Sequence, residues 1–233
     1  MVHLKVVPDD RRERSREKKR QRFLDAASAI VDREGLRGVT MAAVADELDC
    51  AVGTIYSYFS SKAALLTALQ GQAVDLLAAS FATARELWDD QLEGEELPDD
   101  VRTLVEVLGF GSFWSAASVV FADEFELQRQ LLSAKVTLVS ADEIAEVMPV
   151  ARRLPAGPAA LVDAAVAVGA LADGPAESRV LRWVCALNGV LLVENLAPLD
   201  RHLFRASHLG RCLTEDLLVG WGAERRTVEV AAA

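Results

Sequence analysis

The chain has 233 residues, enough for one large domain or two modest ones with a sizeable core, and its 38 Ala and 32 Leu against two Tyr favour helix over sheet. Gly and Pro together make only 21 residues and apolar residues 52%, which excludes a disordered or collagen-like chain. The net charge of −10 hides a split: residues 1–62 carry 12 basic and 10 acidic side chains, residues 63–233 carry 13 and 25, so only the N-terminal end suits a polyanionic partner.

The first segment, residues 1–14, reads as a flexible basic arm, and Arg11 to Arg22 packs eight Lys or Arg against Glu13 and Glu17. From Arg22 the pattern is helical, with Phe23, Ala27, Ile30 and Val31 forming one apolar stripe that ends at Gly35. Thr40 is suited to cap a short second helix that carries Val44 and Leu48 inward and stops near Asp49 and Cys50. A third helix begins about Ala51, with Val52, Ile55 and Phe59 on one face. Three helices in so short a stretch, the last two joined by a tight turn, outline a helix-turn-helix unit over residues 15–62.

Ser60 or Ser61 can cap a fourth helix of about 25 residues running past Phe81 towards Trp88. Gln91 to Asp100 is acidic, contains Gly94 and Pro98, and reads as a loop. Apolar segments follow at Val101–Trp114, Ala116–Ala134, Asp142–Val150, Ala159–Leu171, Ala176–Leu196 and His202–Trp221. The fold class is therefore all-α: a three-helix N-terminal domain joined by a long helix to a helical domain over 63–222, with a flexible tail at 223–233. The segment 176–196 is apolar nearly all round and must be buried on most sides, and Gly210 and Gly220 allow another backbone close approach.

The cysteines, Cys50, Cys185 and Cys212, are odd in number and far apart, which builds neither a disulfide framework nor a CxxC site. The N-terminal residues lack the apolar stretch of a secretory signal. The longest strongly apolar run, Val184 to Val193, is too short to span a bilayer, so a cytoplasmic protein without a membrane partner is expected. GxxxxGK[ST], HExxH and GxSxG are absent, and the three His stand at 3, 202 and 208, so neither an enzyme nor a cofactor is expected. His202, His208 and Cys212 have spacings that a metal tolerates, but surface or packing roles outweigh ligation.

The stretch Gly35-Leu36-Arg37-Gly38-Val39-Thr40-Met41-Ala42-Ala43-Val44-Ala45, followed by Gly53-Thr54-Ile55-Tyr56-Ser57-Tyr58-Phe59-Ser60-Ser61-Lys62-Ala63-Ala64-Leu65, resembles the DNA-binding domain of TetR-type bacterial repressors. The resemblance covers about residues 15–70; beyond it only length, helical content and a final helix pair are similar. It implies a ligand-responsive repressor that binds a palindromic double-stranded DNA operator as a homodimer and is released by a small apolar or amphipathic effector. By resemblance, Thr40, Tyr56 and Lys62 bind phosphate, while Val52, Gly53, Thr54 and Tyr58 lie near bases. The residues agree: opposite the Val52–Ile55–Phe59 side stand Gly53, Thr54 and Ser57, a small hydroxylated face that fits a major groove.

Some members of that family carry Arg or Gln where this chain has Ala42, Ala51 and Val52, so direct hydrogen-bond readout is thin. Thymine methyls read by Ala51 or Val52, with added affinity from Arg16, Lys19 and Arg20 in the basic stretch, would compensate. The resemblance further implies dimerisation through the last two long helices, with Val184, Leu191, Leu209, Leu213, Leu217 and Trp221 as candidate contacts. It also implies an effector pocket among the middle helices, for which Phe110, Phe113, Trp114, Phe121, Phe125 and Trp183 are candidate lining, with Asn188 or Glu194 as polar anchors. Two other readings stay open: a helical lipophilic-ligand sensor or carrier with weak or lost DNA binding, and a membrane-surface protein using Arg11 to Arg22, although that stretch has no apolar face.

Overall fold

The fold is seen in a computed structural model that describes residues 10–133, 148–150, 152–153 and 155–233, all-helical apart from turns and connections. The described residues divide into two compact units, residues 10–72, and residues 73–133 with those described from 148 onwards. The division falls within the fourth helix rather than at residue 62. The apolar segment expected at 142–150 lies outside the described residues up to 147.

In the first unit, α1 spans Asp10–Glu34, so the arm expected as flexible is helical from residue 10 onwards; residues 1–9 lie outside the description. Lys, Arg and Glu are good helix formers, and Glu17 pairs with Arg20 one turn on at 3.6 Å. Gly35 ends α1 at φ +72°, its N–H donating to Val31 C=O at 2.8 Å, a left-handed cap that glycine adopts without strain. The Thr40 hydroxyl accepts the Ala43 N–H at 3.0 Å and caps α2, Met41–Glu47. The turn to α3, Val52–Tyr56, passes through Asp49 at φ +49°, a conformation that Asp tolerates better than most residues. Phe23, Leu24, Ile30, Val39, Val44, Ile55 and Phe59 are buried together with Leu65 and Leu69 at the start of α4, Lys62–Leu92, whose first turn is capped by the Ser61 hydroxyl.

The second unit is organised around α5, Asp99–Val120, which packs against α7, Ala156–Ala167, α8, Ala176–Val193, α9, Ala206–Gly220, and α10, Arg225–Ala232. The connection after α4 is short because α5 starts at Asp99, where Asp99 and Asp100 favour the positive helix end. A break at Phe121 separates α5 from α6, Ala122–Ser133, and a 3-10 turn over Glu194–Leu196 follows α8. Both α4 and α5 contain stretches long and apolar enough to cross a membrane, a property of their overall composition and not of an uninterrupted apolar run. Their apolar faces are core-forming: Leu65, Leu69, Leu77 and Phe81 on α4 and Leu104, Val107, Phe110 and Trp114 on α5 are buried.

The segment 223–233, expected as a flexible tail, instead forms α10, whose Val228 is buried against the α5 core. Its charged residues Arg225, Arg226 and Glu229 fall on the outer side of the helix, which leaves Val228 for the core. Helix α8 is buried through Val180, Trp183, Val184 and Leu187, while Leu181, Cys185, Gly189 and Leu192 are exposed, so it is covered on one side only.

The crossing of α5 and α9 depends on small residues. A Cβ on Gly111 would lie 2.7 Å from Thr214 Oγ1, and one on Gly210 would lie 3.2 Å from Ser115 Oγ. Buried Thr214 accepts the Trp183 indole N–H at 3.1 Å and donates to Gly210 C=O at 2.8 Å. Gly111→Ala should therefore displace Thr214, strand the Trp183 N–H and lower stability by about 1–3 kcal/mol, measured by urea denaturation. In the first unit, Thr40→Ala should cost about 1 kcal/mol through loss of the α2 cap while Thr40→Ser retains most of it, read in the same assay.

Candidate nucleic-acid interface and effector groove

The outward surface of the helix-turn-helix is set by what α3 buries. Ile55 is fully buried and Phe59 nearly so, which leaves Ala51, Val52, Gly53, Thr54 and Tyr56 exposed, Tyr56 by 52%. A Cβ on Gly53 would meet nothing within 4 Å, so no packing within the protein requires a glycine there. The Ser57 hydroxyl turns back and donates to Thr54 C=O at 2.6 Å. Lys62, the first residue of α4, and Thr40, the α2 cap, are also exposed.

Tyr58 sits differently from Tyr56. Its ring packs on Phe23 at 5.1 Å between centroids, and the Arg16 guanidinium lies 5.8 Å from it, so the side chain is half-buried and ties α1 to the end of α3. The Arg20 guanidinium similarly lies 5.1 Å from the Phe59 ring. Two of the three basic residues singled out in the N-terminal stretch are therefore held beside the helix-turn-helix on a helical frame, and Lys19 is exposed. Arg33 on α1 reaches Glu47 on α2 at 2.9 Å; that hydrogen bond, and to a lesser degree one to Glu34, raises Arg33 above the usual guanidinium range. This tie fixes the angle between α1 and α2 in an exposed setting, where its energetic worth is small.

In the second unit the aromatic residues form a packed core. Phe81 contacts Phe110 and Phe113, Phe110 contacts Trp114 and Trp183, Trp114 contacts Phe125, and Trp183 contacts Trp221, with centroids 4.8–6.0 Å apart. Phe110 and Trp183 are buried within this cluster; Phe113 and Phe121 are half-buried against it. A separate open groove of about 700 Å³ is bordered by Ser112, Ser115, Phe125, Asn188, Leu191 and Arg211, among others. Of the residues expected at the effector pocket, Phe125, Asn188 and Glu194 border this groove, while Phe110, Phe113, Trp114, Phe121 and Trp183 do not. Asn188 is engaged, its Nδ2 donating to Val184 C=O at 3.0 Å, and the Glu194 carboxylate accepts the Ala206 N–H at the start of α9. Sequence spacing identified the aromatics but not the groove, since Ser112, Ser115 and Arg211 become neighbours only through the crossing of α5 and α9.

Two of the expected dimer contacts are corrected. Val184 is 1% and Trp221 8% exposed, buried against α5 and Trp183 within the single chain. Leu191, Leu213 and Leu217 are partly buried against the same core, and Leu209 is half-buried. The exposed apolar side of α8 is the adjacent stripe of Leu181, Cys185 and Leu192, one wheel position away from the expected one. His208 and Cys212 stand one turn apart, Sγ 3.8 Å from Nε2, and no group of three metal-binding side chains occurs among the described residues.

The family described as bacterial regulatory proteins, tetR family, matches residues 23–69, the stretch from the buried face of α1 to the first turns of α4. The HTH-type transcriptional repressor KstR of Mycobacterium tuberculosis is 50% identical over 54 residues, which cover 23% of this chain and 24% of that repressor. The HTH-type transcriptional regulator BetI of Burkholderia thailandensis is 28% identical over 173 residues, covering 70% of this chain and 88% of that one. Among solved structures, RolR in complex with resorcinol superimposes with a TM-score of 0.60 at 16% identity, over 94% of this chain and 96% of that one. The multidrug binding protein EbrR complexed with imidazole gives 0.56 at 21% identity, over 85% and 94%. Those two share the fold of this chain. The match to KstR spans about a quarter of that repressor's length, and it falls on the helix-turn-helix. That unit is thus similar to the tetR family of bacterial regulatory proteins, and the chain as a whole shares the fold of the two solved structures.

Proposed function

We propose that this protein is a cytoplasmic, ligand-responsive transcriptional repressor that binds a palindromic operator as a homodimer and is released by a small, largely apolar or amphipathic effector. The observation that carries the reading is the outward face of α3: Val52, Gly53, Thr54 and Tyr56 are exposed, and the space about Gly53 is open. Thr40, Tyr56 and Lys62 then bind phosphate, with Arg16, Lys19 and Arg20 adding phosphate contacts from α1. Val52 and Ala51 present methyl groups suited to thymine, and Tyr58, braced on Phe23, places its edge near the bases.

Dimerisation is assigned to the exposed apolar stripe of α8, Leu181, Cys185 and Leu192, together with the half-buried Leu209 and Leu213 of α9. Exposed apolar residues at helical spacing are what a two-fold helical interface uses. The effector site is assigned to the second unit, where the groove beside Phe125, Asn188 and Leu191 offers a mixed apolar and polar lining. Two solved structures of the same fold, RolR with resorcinol and EbrR with imidazole, contain small ring compounds, which supports a small-molecule effector.

Fluorescence anisotropy against a duplex from immediately upstream of the coding sequence, with a scrambled duplex at two salt concentrations, tests the reading. Nanomolar, sequence-selective and salt-sensitive binding is expected; equal weak binding to both duplexes favours a ligand sensor without DNA binding, a reading to which Ala42, Ala51 and Val52 lend support. Gly53→Ala should leave thermal stability unchanged or raise it by up to about 1 kcal/mol while weakening operator binding, because its added methyl meets nothing in the protein but faces the groove. Lys62→Ala should weaken binding to all duplexes alike and reduce the salt slope by about 1. Leu181→Glu with Leu192→Glu should shift the protein from dimer to monomer in sedimentation equilibrium at low micromolar concentration, with helicity retained.

A further inference from the structure

The second unit contains two buried tryptophans treated in opposite ways. The Trp183 N–H is donated to Thr214, which passes its own proton to Gly210 C=O, a closed chain. The Trp114 N–H, in a side chain only 3% exposed, has no hydrogen-bond partner among the described residues. Gln128 on α6 is fully buried, and neither its amide nitrogen nor its amide oxygen is partnered there.

Phe125 brings these two groups into one neighbourhood. Its ring packs against Trp114 at 4.8 Å, and Gln128 follows it by three residues, on the same face of α6. The same Phe125 borders the open groove. Buried polar groups are nearly always hydrogen-bonded, and two unpaired side chains, one packed on Phe125 and the other one turn along the same helix from it, are not an ordinary feature of a core.

The remaining buried polar groups of this unit are committed. Arg179 donates to Ala172 C=O and Asp173 C=O and Thr214 is part of the Trp183 chain; the exception is the Nε of Arg85, a cation whose guanidinium pairs with Glu106. What is uncommitted in the vicinity of Phe125 is therefore neutral: one indole N–H donor and one carboxamide able to donate and accept. A charged ligand group would find no counter-charge in these two side chains.

We infer that Trp114 Nε1 and the Gln128 carboxamide, which do not border the open groove themselves, are the polar anchors of an effector site that adjoins it at Phe125, and that the effector is a neutral molecule with a hydroxyl or carbonyl on an apolar frame. The inference rests on the effector-responsive reading above and adds to it the ligand's chemistry. The ligand's oxygen accepts from the indole N–H, the carboxamide binds the same or an adjacent polar group, and Phe125 contacts the apolar frame. A site built around hydrogen-bonding groups discriminates strongly against an isostere that lacks the polar group, since rejection leaves buried partners unpaired.

The test uses the full chain with phenol and toluene as shape-matched probes, titrated by calorimetry. The wild-type protein should bind phenol at least about tenfold more tightly than toluene. Gln128→Met and Trp114→Phe should each lose most of that preference, and Gln128→Met should melt no lower than wild type, because it removes a buried amide that has no protein partner. The inference is overturned if the wild type does not prefer phenol, if both variants keep the preference, or if Gln128→Met melts several degrees lower with helicity otherwise unchanged. Operator release, followed separately by anisotropy, distinguishes the two levels. A phenol preference lost in the variants but without DNA release supports this site and counts against the regulator reading. Release by an effector that is unaltered in both variants keeps that reading and overturns the site.

Discussion

The second helical unit depends on how closely α5 and α9 approach. That approach exists because Gly111 and Gly210 have no side chains to hold the helices apart, and because Thr214 fills the remaining space with a hydroxyl. The hydroxyl satisfies the Trp183 indole, which allows a residue of that size to be completely buried at the centre of the aromatic cluster. Phe110, Trp114 and Trp221 are then positioned by contact with Trp183 or with one another. The tolerance for change at the crossing is small, since a single methyl on Gly111 would occupy the position of Thr214 Oγ1.

In the N-terminal unit the constraints are local. A left-handed glycine ends α1, a threonine hydroxyl starts α2, and an aspartate in the left-handed region makes the turn before α3. Each device acts within a few residues of itself, so the unit's shape follows from short-range chemistry. Its exposed surface is defined by exclusion: the residues of α3 that the core does not use are those available to a partner. Tyr56 and Tyr58, two residues apart, divide between these roles, one exposed and one braced between Phe23 and Arg16.

Polar accounting separates committed from uncommitted groups in the second unit. Asn188 and Glu194 drew attention in the sequence because they interrupt an apolar helix, yet one returns to its own helix backbone and the other caps the next helix. Trp114 and Gln128 are unremarkable in sequence, the first being one aromatic among several and the second lying in an ordinary amphipathic stretch. Only the packing shows that their polar atoms are buried and unpaired. The same shift occurs at the outer surface, where Val184 and Trp221 are claimed by the chain's own core and Leu181 and Leu192 are left exposed.

The sequence by itself determined the helical class, the three-helix N-terminal unit, the capping Thr40, the stop at Gly35 and the division of α3 into inner and outer faces. All of these arise from spacings shorter than two helical turns or from single-residue backbone preferences. The sequence also carried enough of the tetR-family pattern for the helix-turn-helix to be matched over residues 23–69. It did not determine the start of α1 at residue 10, because a highly charged stretch reads alike as a solvated coil or a solvated helix. Nor did it determine α10, whose burial depends on α5 lying beneath it. Which side of α8 stays exposed, which aromatics border the groove and which polar atoms lack partners were decided by tertiary structure alone. Those properties depend on contacts between helices far apart in sequence, and a helix that is apolar all round carries no local signal for which of its sides the chain will cover.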